Sequence, residues 1–165
     1  MPVWPANFGA IRFSSSKGSF SWRPEEGTPR IAENPPRGWP PEPFAARFFI
    51  GLAVDGAPPW DIRHVLSLWR DLRTRHLAEK GLPADLGVTL LAQKGSFWIS
   101  VAAQAEEYDS VELVAIQTTE QENGADFILN MQNIGEQLCR LLKQKRIMLE
   151  IQKCGLQRSM FCVTP

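Results

Sequence analysis

The segment from Asn123 to Gly155 constrains the fold more than any other, because a helix-period pattern runs there into a strand-period pattern without a break. Phe127, Met131, Ile134, Leu138 and Leu141 recur at spacings of four and three, and Ile128 and Leu142 widen the stripe. The spacing predicts a helix with one apolar face. Asn130, Gln132, Asn133, Glu136, Gln137 and Lys143 fall on the other face. After Gln144 the period shortens: Ile147, Leu149 and Ile151 alternate with Met148, Glu150 and Gln152. That is how a strand reads when one of its faces is the more deeply buried.

A second helix is expected after Asp61, whose side chain suits an N-cap. Ile62, Val65, Leu66, Trp69, Leu72 and His76 follow at helical spacing, and Gly81 with Pro83 stops the pattern. Its outer face carries Arg63, Arg70, Arg73 and Arg75. Strands are predicted over Arg47 to Val54, Gly87 to Gln93, Ser96 to Val101 and Val111 to Gln117, with a short last strand from Ser159 to Val163. Lys94-Gly95 reads as a tight turn or a bulge, and the stretch before Val111 as an acidic loop.

Residues 1–45 hold nine of the thirteen prolines and three of the six tryptophans, which sets them apart as an N-terminal arm from an α+β domain over residues 46–165. Ile11 and Phe13, then Phe20 and Trp22, alternate with polar residues on either side of Lys17-Gly18, a hairpin pattern. Arg23 to Pro43 reads as an extended, proline-stiffened strap. For the domain, the order strand, helix, strand or hairpin, strand, helix, strand gives a ferredoxin-like split β-α-β two-layer sandwich, an antiparallel sheet with two main helices on one face. The other face would expose a large apolar patch, so the arm, a second subunit or a ligand must cover it.

Function is less legible. Eighteen basic and eighteen acidic residues leave no net charge, which argues against a polyanion binder. The local asymmetry is that Gln104 to Asp126 holds seven acids and no Lys or Arg, while Arg140 to Arg158 holds six bases and one acid; it fits the dipole of the intervening helix. Cys139, Cys154 and Cys162 have neither CxxC spacing nor an even number, so no disulfide framework or zinc site is indicated. His64 and His76 are too far apart on one helix to share a metal. No nucleotide-loop, metalloprotease or nucleophile-elbow motif occurs. The N-terminus lacks a secretory pattern and no run is long enough to span a membrane, pointing to a cytoplasmic protein.

Polar residues that interrupt the strands are the best candidates for a ligand site: Gln93 and Glu112, with Trp98 and Tyr108 as aromatic walls. No catalytic residue, cofactor or metal is indicated. The leading expectation is a binding or interaction module that forms a homodimer through its sheets. The competing one, from the enzyme class, is a dimeric α/β-barrel-like protein holding a small apolar ligand in its sheet cavity. Nucleic-acid binding through Arg63, Arg70, Arg73, Lys145 and Arg146 is the weakest of the three, since no RNP-like aromatic run is present.

Overall fold

A computed structural model describes residues 10–16, 18–33, 44–82, 88–101, 104–117, 122–153 and 157–165. The two helices stand where periodicity places them. Helix α1 (Ile62–Glu79) starts at Asp61, whose carboxylate accepts from the Arg63 amide at 2.7 Å. Helix α2 (Gly124–Leu141) starts at Asn123, whose side chain accepts from the Asp126 amide. Both side chains satisfy donors that a helix N-terminus leaves without partners. Neither helix is long and apolar enough to cross a membrane.

The strands are β1 (Ile11–Ser15), β2 (Gly18–Pro24), β3 (Ile31–Glu33), β4 (Phe44–Gly51), β5 (Val88–Val101), β6 (Gln104–Gln117), β7 (Ile147–Lys153) and β8 (Gln157–Val163). They form one eight-stranded antiparallel sheet in the order β1-β2-β5-β6-β4-β7-β8, with β3 pairing on β5. On its helix side, even positions of β4 and β5 and odd positions of β6 and β7 build the main core. Phe48, Leu90, Leu113 and Leu149 pack there under Trp69, Phe127, Met131 and Leu138.

The opposite face holds a second core. Phe20, Trp22, Phe49, Phe97 and Ile99 form one cluster, with Ile11, Tyr108, Met148 and Met160 packed against it. β2 and β5 are separated from β7 and β8 by β6 and β4 in the strand order, so these side chains meet only if the sheet curls around them. The ferredoxin-like two-layer sandwich is therefore corrected to a curled antiparallel half-barrel with two helices on its outside. The physical reason lies in two strands. β5 and β6 are fourteen residues each and continue well past the helices, where the hairpin β1-β2 pairs with the extension of β5.

Two details hid that length. Lys94-Gly95 is neither turn nor bulge: the register runs through it unbroken, Lys94 opposite Val111 and Gly95 opposite Ser110. Glycine stands there because a Cβ would run into the Arg23 carbonyl oxygen and lie 2.5 Å from the Trp22 ring. The acidic loop is likewise the first half of β6, with Glu106 and Glu107 exposed on opposite faces of a strand. Arg73, placed on the outer basic face, is buried between the helices. Its guanidinium donates to both Glu122 oxygens, at 3.0 and 2.5 Å, and to Asn130 Oδ1. Leu141, assigned to the apolar face of α2, is half exposed at the helix end, and Leu142 is buried in its place.

Candidate functional site

The concave face divides at Trp22 and Phe49, whose ring centroids lie 5.8 Å apart. Both are fully buried, and the Trp22 indole N–H donates to Ser110 Oγ at 3.0 Å. On one side of this divide is an ion network; on the other is an apolar cavity.

Arg47 is the centre of the network. It projects inward because it alternates with Ala46 and Phe48, which face the helices. Its Nε donates to Glu112 Oε2 at 3.0 Å and its Nη2 donates to the same oxygen, while Nη1 stands 3.8 Å from Glu150 Oε2. The guanidinium also lies 5.1 Å from the centre of the Phe49 ring. Arg47, Glu112 and Glu150 are each 1 % exposed. Charges this deep persist only when compensated. Gln152 Nε2 donates to Glu150 Oε1, whereas Glu150 Oε2 receives no hydrogen bond.

Glu112 has a second arginine. Arg30, immediately before β3, brings its Nη2 within 3.4 Å of Glu112 Oε1 and 3.3 Å of Gln93 Oε1. Its side chain is 31 % exposed, so the network meets solvent there. Burial pushes the Glu112 carboxyl above its ordinary value of 4.5, against the opposing pull of Arg47 and Arg30.

Beyond Phe49, a cavity of about 460 Å³ opens between the two ends of the curled sheet. Phe13 and Phe20 line it from β1 and β2, Ile99 from β5, and Met148, Met160 and Cys162 from β7 and β8. A smaller cavity of about 120 Å³ adjoins it, lined by Asp55, Tyr108, Lys143 and Lys145 among others. Ile99 and Arg146 line both, so the apolar chamber leads into one that carries charges of both signs.

The sequence candidates are thus divided among three places. Gln93 and Glu112 come together, as register partners on β5 and β6. Tyr108 lines the smaller cavity, its ring 4.9 Å from Phe97 and its hydroxyl donating to Glu106. Trp98 is on the outer face, 44 % exposed in a groove with Arg12 and Arg23. Arg47, Glu150, Arg30, Met148 and Met160 were missed. For Arg47 and Glu150 a signal existed: each is a charge inside an otherwise apolar strand, the feature that singled out Glu112.

No protein-family model matches the chain, and no curated protein does either. Two solved structures resemble it. One is a phage SAM lyase in complex with S-methyl-5'-thioadenosine, at a TM-score of 0.58 and 28 % identity, covering 74 % of this chain and 90 % of that one. The other is a phage SAM lyase in its apo state, at a TM-score of 0.56 and 28 % identity, covering 74 % and 89 %. The half-barrel is therefore an architecture that this chain shares with the phage SAM lyase structures. Each match leaves about a quarter of this chain uncovered.

Proposed function

We propose that this chain is a lyase that cleaves S-adenosylmethionine to S-methyl-5'-thioadenosine and a four-carbon fragment. The observation that carries the reading is the likeness, at 28 % identity over nine-tenths of the neighbour, to a lyase solved with that nucleoside. The concave face suits both halves of such a substrate. The apolar cavity, with Phe13, Phe20, Met148 and Met160, has the size and lining that a thioadenosine needs. The substrate's sulfonium and ammonium call for carboxylates, and Glu112 and Glu150 lie on the same face across Phe49.

Cleavage breaks the bond between sulfur and Cγ, and its electron pair stays on sulfur as a neutral thioether. With no water added, Cγ must be satisfied from within the fragment. Attack by the fragment's own carboxylate oxygen closes a lactone and requires no proton transfer. That route asks for no general base: both Glu112 oxygens already accept from arginines, so the carboxylates act through their charge.

The test is to incubate the purified chain with S-adenosylmethionine in ¹⁸O-water and to identify products by mass spectrometry. Methylthioadenosine with an unlabelled lactone is the expected result; unchanged substrate would overturn the reading. Glu150→Gln keeps the shape of the side chain and removes its charge. It should lower kcat/KM about a hundredfold, the scale of losing one charge-stabilising group from a buried site.

For self-association we propose the outer face around Trp98, since Phe20 and Trp22 cover the concave one. There Arg12 and Arg23 flank Trp98 on one side and Glu107 and Asp109 on the other, a self-complementary arrangement. Light scattering should give twice the 18.6 kDa chain mass, and a monomer for Trp98→Asp.

A further inference from the structure

The ion network is assembled in an unequal way. Of its two arginines, Arg47 is sealed in with the carboxylates, while Arg30 reaches in from a partly exposed position. Arg30 is attached through β3, a three-residue strand whose only strand partner among the described residues is β5. Two acceptor oxygens, Gln93 Oε1 and Glu112 Oε1, converge on the single nitrogen Nη2. If Arg30 withdraws, Glu112 and Glu150 are left with one arginine between them, and Glu150 Oε2 already receives no hydrogen bond. A buried site in that condition has a net negative charge and favours any cation that fits it.

We propose that Gln93 and Glu112 form a seat for an organic cation, and that Arg30 occupies this seat in the ligand-free chain as a placeholder for the substrate's positive group. The proposal rests on the lyase reading for the identity of that group, but not for the existence of the seat. Gln93 and Met148 are three strand spacings apart, about 14 Å along the sheet and less across its concave side. That span lets one extended ligand reach from the cavity to the seat. The arrangement also gives the reaction a direction. The intact substrate joins the cationic group that displaces Arg30 to the thioadenosine held in the cavity; cleavage leaves methylthioadenosine neutral and the ammonium on a separate small fragment, so neither product is held at both places and Arg30 returns.

The test compares wild type, Arg30→Ala and Arg30→Lys, using two kinds of ligand. Methylguanidinium, at constant ionic strength, should raise the melting temperature of Arg30→Ala and leave wild type and Arg30→Lys unmoved. S-adenosylmethionine should bind Arg30→Ala about tenfold more tightly than wild type, on the scale of one charge-assisted hydrogen bond, with methylthioadenosine affinity unchanged. Equal effects of methylguanidinium on all three proteins would overturn the seat. Weaker binding of S-adenosylmethionine to Arg30→Ala would overturn the placeholder role, since Arg30 would then be holding substrate. If methylguanidinium discriminates while neither nucleoside binds any of the proteins, the seat stands and the lyase reading falls.

Discussion

At Gly95 the chain has no room for a side chain, because the Trp22 indole rests directly on its backbone. Gly95→Val should therefore destabilise the fold by about 2 kcal/mol, a normal cost of overpacking, with the loss read from urea midpoints. Were the glycine a turn residue, the same substitution would act through backbone conformation, yet its register with Ser110 is that of an ordinary strand. His76 makes a prediction of a different kind. Burial, and next to it the charge of Arg73, hold its pKa below the ordinary 6.5. Protonation then favours the unfolded chain. The contribution of His76 to stability is complete above pH 6.5 and is lost as the pH falls through that value toward the folded one. Urea midpoints measured between about pH 7.5 and 5.5 should fall, and His76→Gln should flatten the slope.

Elements were legible where one face met one core. Both helices and the strand β7 follow from periodicity and β4 from its continuous apolar run, since their apolar residues pack against the other layer. β5 and β6 were legible only in pieces, as strands at 87–93, 96–101 and 111–117, because their outer halves leave the helices behind and face a second core built by Phe20 and Trp22 from the N-terminal segment. A glycine and a run of acids inside such strands look like breaks until the residue packed on them is known. The charged residues were hidden for a related reason. Arg73 sits at a spacing that suits an outer helix face, and only its bidentate pairing with Glu122 explains its burial. That pairing ties α1 to the segment leading into α2. Arg73→Met should cost about 3 kcal/mol, the scale for leaving one buried charge unpaired, and should loosen both helices together in hydrogen exchange. A loss confined to α1 would show that the clamp does not join them.

At the scale of the whole molecule, the curl brings the two ends of the sheet to face each other across a cavity. Phe13 and Phe20 on β1 and β2 face Met148 and Met160 on β7 and β8, with no hydrogen-bonded ladder joining the two pairs among the described residues. A ligand lodged there would supply contacts that the ladder does not. Under the proposed lyase reading, methylthioadenosine at a hundred times its dissociation constant would add about 2.7 kcal/mol of stability by mass action, and the site of that gain is a further prediction. Hydrogen exchange should slow in Ile11–Ser15 and Gly18–Pro24 and, in the same titration, in Ile147–Lys153 and Gln157–Val163. α1, packed on the outside, should change only as far as global stability does. Met160→Asp, which sets a charge in the apolar lining, should abolish the paired protection while the helices keep theirs. Protection at one end of the sheet alone would place the nucleoside on a single strand pair, and the cavity between the ends would then not be its site.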